Sequence, residues 1–539
     1  MPRRIADKRR VESSESKQPF CERQRASWRL LVALCVFGAM LSRLVYLIRP
    51  FDSDGAMFIY MGRVISEGGR FCHDICDNKF PSVGLMTSIC WRAFGANWPA
   101  YVLLGFCMSA ITIATLARAA FRHFGRDAGW ATLLFAIVYL NFNFAVFGGF
   151  QLETPQGMFA SLAAAAALDA IAKEDSRDAF LVGLASGCAM LLKPTGLAAA
   201  CAFATAVLCC SRSWKSVFKL GFSSMCGLLI PLSVALIYLI GADNLRDIPA
   251  LWKQISRYAA SSSWEAADLM KPMVIIVLLG LPMLVRGWVF RRDRIDSAFE
   301  SAVSPAFSRS EREQKRSRKP VLAFLAAWLV VETLGVVAQR RMYAYHFLVM
   351  GPPAAMLFGA IPRRLRVASM SAALVPVSLF SIYGASLVIE HGYRGQRTLE
   401  VSDYLNVHAQ PGDAAWQDDA TRLLIETGLK GGSRYPLTFL FANYDVAPLE
   451  YSDQILRDFE QNQTKYVVLR ADLHQYVDHQ CQSILELERF PKRQQNFRQA
   501  WGHIAQYVHA NYTVEATIGR EQIWKRRDRA GDEASVPRD

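Results

Sequence analysis

The chain has 539 residues, of which 52% are hydrophobic and 20% charged, and its mean hydropathy is +0.15. Those values exclude a string of ordinary soluble domains and a disordered chain, and place the sequence among membrane proteins. A formal net charge of +14 suggests nucleic acid as a partner, but the position of the basic residues decides between that and a membrane, and it favours the membrane.

Residues 1–27 form a basic tail, expected to be cytoplasmic, in which Arg3, Arg4, Lys8, Arg9, Arg10, Lys17, Arg23 and Arg25 precede the first apolar run at 28–48. That run is long enough to cross a bilayer, which takes about 20 residues. It leads into polar sequence instead of a small-residue cleavage site, so an uncleaved signal anchor is expected. Further long runs lie at 98–117, 128–146, 154–172, 217–240, 273–290, 321–338 and 367–389, with shorter ones at 179–192, 196–209 and 347–361. The expected fold class is an α-helical polytopic membrane protein of about eleven transmembrane helices with a C-terminal extracytoplasmic α/β domain. Basic clusters at Arg118, Arg122 and Arg126, at Arg212, Lys215 and Lys219, within 286–319, and at Arg363, Arg364 and Arg366 all fall inside if the N-terminus is inside. An odd number of spans then leaves the C-terminus outside. The lipid bilayer is the expected partner, and nucleic acid is not.

Residues 51–97 are expected to be the first extracytoplasmic loop. Asp52 and Asp54 precede a segment in which Met57, Phe58, Met61, Val64 and Ile65 recur at helical spacing. The pattern predicts an amphipathic helix on the membrane surface, ended by Gly68 and Gly69. The chain then passes Cys72, His73, Asp74, Cys76 and Asp77 to reach Lys79 and Pro81. The two cysteines fit a disulfide in an oxidising compartment, free thiols or a metal site, and their spacing matches no strong zinc pattern. Asp52-Ser53-Asp54 has the Asp-x-Asp form that holds a divalent metal in soluble sugar-nucleotide enzymes, so a metal at Asp52/Asp54 stays open. No other cofactor is indicated.

Glu153 opens a predicted span with Pro155 in its first turn. A carboxylate is favoured there by the positive end of the helix, and it is also placed to enter the same cavity as Asp54. Lys193-Pro194-Thr195-Gly196 separates two short apolar runs on the outer side. An ionisable residue at that depth is a functional candidate, with snorkelling to the interface as the plain alternative. The outward segment 242–271 mixes Trp252, Lys253, Arg257, Tyr258 and Trp264, as a loop closing over a site would, or any interfacial loop. Arg340 and Arg341, followed by Tyr345 and His346, sit on the outer side against the charge rule that the rest of the chain obeys. Their guanidinium forks suit phosphate oxygens or lipid headgroups.

Residues 28–391 thus form the multi-spanning unit. A polar domain at 392–526 reads as α/β, with helices over 398–409 and 452–461, strands at 414–417 and 465–470, and a hairpin at 512–518 and 521–525. A charged tail, 527–539, closes the chain.

The order acidic pair, amphipathic helix, Glu67-Gly68-Gly69, aromatic Phe71, then Asp77-x-Lys79-x-Pro81 resembles the first extracytoplasmic loop of the GT-C membrane glycosyltransferases, in the branch of protein O-mannosyltransferases and lipid A aminoarabinose transferases. Lys193-Pro194-Thr195-Gly196 and the Arg341 to His346 segment resemble later elements of that family in the same order. Gly55 stands where many relatives carry Glu, and Phe80-Pro81 where they carry Pro-Pro. The resemblance implies an enzyme of the bacterial inner (plasma) membrane with its site facing outward. It would move a monosaccharide from a polyprenyl-phosphate sugar donor to a hydroxyl of a glycolipid, polysaccharide or protein acceptor, with inversion. It also implies the roles: Asp54, with Asp52 and Glu153, for catalysis; Lys79, Arg340, Arg341 and Lys193 for the donor phosphate; Tyr345, His346 and Asp77 for substrate. The competing expectation is a transporter or flippase of lipid-linked sugars, which predicts matched helix breaks in two halves, whereas the sequence shows one, around Pro194.

Overall fold

A computed structural model describes residues 37, 47, 53–77, 79–141, 150–211, 213–249, 251–252, 255–256, 309–338, 344–360, 396–417, 421–436, 448–472 and 491–528. Apart from residues 37 and 47, the expected spans at 28–48, 273–290 and 367–389 lie outside them, as do Asp52, Arg340, Arg341 and most of the segment 242–271.

From residue 53 the described residues form a helical hairpin, α1 (Ser53–Ser66) and α2 (Pro81–Phe94). Gly68, at φ +91°, takes the left-handed turn after α1, with bonds from Gly68 N to Ile65 O and from Gly69 N to Val64 O. These satisfy the last carbonyls of α1 in the manner of a Schellman cap. Pro81 opens α2 at its first turn, where its missing N–H costs nothing.

The expected surface position of α1 is corrected. Every residue from Ala56 to Met61 is at most 4% exposed, so the helix has no solvated face over that stretch. One side packs on α2, and the other on α12 (Thr421–Thr427) of the polar C-terminal unit, in a cluster that includes Leu423 and Leu424. The apolar spacing predicts one stripe, but Ala56, Ile59 and Tyr60 fill the rest of the circumference.

The membrane part follows as α3 (Trp98–Phe124), α4 (Arg126–Leu140), α5 (Glu153–Lys173), α6 (Ser176–Leu192), a 3-10 turn (Pro194–Leu197), α7 (Ala198–Cys210) and α8 (Trp214–Gly241). After them come α9 (Arg309–Ala338), a 3-10 turn (Ala344–Met350) and α10 (Gly351–Ala360). Small residues set the packing: a Cβ on Gly183 of α6 would fall inside the carbonyl of Ser224, and one on Gly227 of α8 inside that of Phe180. These backbones touch, as small-residue stripes allow between membrane helices. Away from that seam α8 exposes Phe218, Phe222, Leu229, Val234, Ile237 and Ile240, a face suited to lipid. Among the described residues three helices are long and apolar enough to cross a bilayer, at Trp98–Phe124, Trp214–Gly241 and Pro320–Ala338, with shorter apolar helices at Pro194–Cys210 and His346–Ala360. The protein is a mostly helical membrane protein. Basic residues gather at one end of the bundle, where Arg122, His123 and Lys173 surround Asp169, opposite to Glu153.

The C-terminal unit contains α11 (Gln396–His408), β1 (Ala414–Gln417), α12 (Thr421–Thr427), β2 (Lys430–Gly431), α13 (Pro448–Gln461), β3 (Tyr466–Arg470), α14 (Pro491–Asn511), β4 (Tyr512–Ile518) and β5 (Glu521–Arg526). The sheet order is β2-β1-β3-β5-β4, with β1 parallel to both neighbours and β3, β5 and β4 successively antiparallel. Tyr451, Ile455 and Phe459 recur every four residues along α13 and meet Trp416, Trp501 and Tyr512 in one buried cluster, as a helix covering a sheet requires.

Candidate active site

Asp54 lies in the first turn of α1, where the helix dipole favours a carboxylate. Part of its surface is open, yet the surrounding protein withdraws the carboxyl from bulk water, and this burial raises its pKa. Lys79 opposes the rise, Asp77 and Glu153 add to it, and Lys193 opposes it more weakly. These groups come from the loop before α2, the start of α5 and the end of α6, and each acts on the carboxyl carried by α1.

Among these groups the charges are paired. Lys79 Nζ donates to Asp77 Oδ2 at 3.2 Å and lies 5.6 Å from the centre of the Phe58 ring. Asp77 is 1% exposed, and its Oδ1 has no hydrogen-bond partner among the described residues. Glu153, 2% exposed at the head of α5, forms a salt bridge with Lys193. Lys193 ends α6 in an extended conformation, and Pro194 starts the 3-10 turn after it. Glu153 and Lys193, expected to act separately, face each other.

Two supporting contacts were not foreseen. Gln156, one turn after Glu153, donates through Nε2 to Thr195 Oγ1 at 2.9 Å, so α5 holds the turn after Lys193 through its side chains at i and i+3. Ser82 Oγ donates to the Leu191 carbonyl, joining the start of α2 to the end of α6. The three-residue spacing of Glu153 and Gln156 was a visible signal for the first, and nothing in the sequence marks the second.

His346 is buried on the 3-10 turn that packs against α5. Tyr345 shares that turn, and its side chain lies outside the description, as do Asp52, Arg340 and Arg341. Among the described residues no group of three His, Cys, Asp or Glu side chains is placed to hold a metal ion, and the Asp52/Asp54 pair falls outside that test. Cys72 and Cys76 are buried, with Cys76 Sγ donating to Cys72 Sγ at 3.3 Å.

Chemically, the arrangement offers a carboxylate that binds its proton more tightly than an ordinary Asp, beside a lysine and an acidic group with hydrogen-bonding capacity to spare. It suits taking a proton from a hydroxyl next to a negatively charged group.

The profile of the dolichyl-phosphate-mannose-protein mannosyltransferase family matches residues 78–240, a stretch that includes Lys79, Glu153 and Lys193. Among curated proteins none matches the chain by sequence. In structure the chain is similar to ArnT from Cupriavidus metallidurans in the apo state, with a TM-score of 0.55 and 15% identity over 92% of this chain and 97% of that one. The same protein bound to undecaprenyl phosphate matches with a TM-score of 0.54 and 14% identity over the same shares. At such identity the likeness is one of fold. Of the loop from Asp54 to Pro81, the family profile includes Lys79 and Pro81 and begins after Asp54 and Asp77.

Proposed function

We propose that this chain is an integral-membrane glycosyltransferase that moves a monosaccharide from a polyprenyl-phosphate sugar to a hydroxyl of an envelope glycolipid, polysaccharide or protein. The observation that carries the proposal is the pair of buried ion pairs Lys79–Asp77 and Lys193–Glu153, with Lys79 seated on Phe58 of the helix that bears Asp54, in a fold shared with a protein crystallised with undecaprenyl phosphate.

The reaction needs little from a general acid, because the phosphate leaves as a stable anion. Asp54 takes the proton of the acceptor hydroxyl as its oxygen attacks the anomeric carbon. The bond from that carbon to the phosphate oxygen breaks, and its electron pair leaves with the phosphate. A single displacement inverts the anomeric centre. Lys79 stabilises the charge growing on the phosphate, with Arg340 and Arg341 as its guanidinium partners and Asp77 accepting from a sugar hydroxyl. The Glu153–Lys193 pair fixes the floor of the site and holds a second cation near the phosphate; Tyr345 and His346 line the substrate's approach. The site faces the extracytoplasmic side of the plasma membrane, below the C-terminal α/β domain, and about eleven helices span the bilayer.

Mass spectrometry of envelope glycolipids, polysaccharides and proteins, from cells with and without the chain, tests this. One acceptor class lighter by a single sugar in its absence, with the polyprenyl-phosphate sugar accumulating, is the expected result. An unchanged acceptor profile with lipid-linked sugar trapped on the inner leaflet would replace the enzyme with a flippase.

A further inference from the structure

We infer that the C-terminal α/β unit is a positioning element of the candidate active site, gripping the helix that carries Asp54 through Arg63 and the adjoining loop through Cys76. The inference rests on the site assignment made under Proposed function and gives a role to a unit that carries no recognisable chemistry of its own.

Arg63 lies nine residues after Asp54 on α1 and is 8% exposed. Its Nη1 donates to the Leu424 carbonyl at 2.6 Å and the Leu429 carbonyl at 3.1 Å, and Nη2 donates to the Gly428 carbonyl. Leu424 is in the last turn of α12, and the other two follow that helix. Arg63 therefore caps the C-terminus of a helix in the other unit, satisfying orphan carbonyls with a cation at the negative end of its dipole. Glu67, 2.9 Å from Nε, holds the guanidinium in line.

Tyr60, one turn earlier on the same face, presses on β2. A Cβ on Gly431 would overlap its hydroxyl oxygen, so only glycine permits the approach. On the loop side, Cys76 N donates to the Arg434 carbonyl at 2.8 Å. Arg434 is itself fixed by Asp458 of α13, through its backbone N at 3.0 Å and its guanidinium at 3.0 to 3.2 Å. Cys76 immediately precedes Asp77, the partner of Lys79. Both arms of the site, Asp54 on α1 and Asp77 with Lys79 on the loop, are thus tied to the same sheet-containing unit. A cavity of about 250 Å³ lies in the same seam, lined by Tyr60, Arg63, His73 and Asp74 on one side and Lys430 and Asp458 on the other. Beside that cavity, the apolar packing of α1 on α12 and the polar ties together set the register. A helix is stiff over nine residues, so loosening its Arg63 end tilts its Asp54 end.

The test reads Asp54 without relying on turnover. A hydrophobic carbodiimide modifies protonated carboxyl groups, and peptide mass spectrometry of the full chain in nanodiscs gives the pH midpoint of Asp54 labelling. Burial is the largest influence on that carboxyl, against Lys79 and Lys193 and with Asp77 and Glu153, so loosening α1 admits water and lowers the midpoint. Arg63→Ala is expected to lower it by about one pH unit, a tenfold loss of proton affinity. Arg63→Lys, which lacks the planar fork, should fall between, and Arg457→Ala, on the exposed face of α13, should match the wild type. If Arg63→Ala does not fold, Arg63→Lys and Gly431→Ala carry the test, the latter by forcing β2 off Tyr60. An unchanged midpoint in the variants that fold overturns the inference. Sugar transfer from an undecaprenyl-phosphate donor, assayed on the same samples, separates the two claims. A lowered midpoint with no transfer by the wild type keeps the grip and rejects the enzyme, whereas transfer with an unmoved midpoint does the reverse.

Discussion

Asp54 is the residue on which the proposed chemistry turns, and its surroundings set a pH dependence with a definite sign. The base acts deprotonated, and burial raises its pKa, so activity is lost as pH falls through a value above the ordinary Asp range of about 3.9. Lys79 is the strongest influence opposing that rise. Its removal raises the pKa further, and the acidic limb of the pH–rate profile in Lys79→Met is expected at higher pH than in the wild type. A limb that moves down, or stays, would show that Lys79 does not act on Asp54. The Glu153–Lys193 pair makes a second residue-level prediction. Both side chains are largely buried, and removing one partner of such a pair costs about 3–5 kcal/mol because the other charge is left uncompensated. Glu153→Ala and Lys193→Ala should each lower the thermal unfolding midpoint markedly, and Glu153→Leu/Lys193→Met should recover most of the loss. Additive losses in the double variant would show that the two side chains do not depend on each other.

Among the elements, α1 shows what the sequence could and could not reveal. Its helical spacing and the Gly68-Gly69 stop were legible, because amphipathic period and cap chemistry are local properties. Its burial on both sides was not, because the second cover comes from residues more than 350 positions later, at Leu423 to Leu429. Glu153 and Lys193 were each legible as charges at helix ends near the bilayer, but their pairing across 40 residues needed the fold. The seam between α6 and α8 gives a prediction at this scale. Gly183→Leu forces a side chain into the Ser224 carbonyl and should destabilise by about 1–3 kcal/mol or more. Gly221→Ala, on the same α8 with open space at its Cβ, should be neutral or slightly stabilising, since alanine favours helix by up to about 1 kcal/mol over glycine. Thermal inactivation in one detergent compares them, and equal midpoints for both variants would deny that the seam is close-packed.

At the scale of the whole molecule, the alternation of basic clusters predicts that the N-terminus is inside while residues 51–97 and the unit from 392 are outside. Impermeant thiol labelling of single cysteines introduced at Lys315 and Arg457, in a background with the native cysteines replaced, should find the second accessible from outside and the first only after permeabilisation. Both on one side would contradict the architecture. The helical membrane character was legible from apolar run lengths. The strand at 512–518 was legible from its β-branched and aromatic residues and that at 414–417 from its place after the Pro411-Gly412-Asp413 turn, and they coincide with β4 and β1. The sheet order β2-β1-β3-β5-β4 was not, since strand order depends on crossovers that local pattern does not encode.

The most direct test of the central claim is the rate of sugar transfer by purified Asp54→Asn, with donor binding measured alongside. Asparagine keeps the shape of aspartate, gives up only its favourable interaction with the helix dipole and takes no proton at neutral pH, so the substitution removes the base and spares the fold. The account predicts a loss of about 10²- to 10⁴-fold in transfer with donor binding unchanged and a milder loss in Asp52→Asn. Full transfer activity in Asp54→Asn would contradict it.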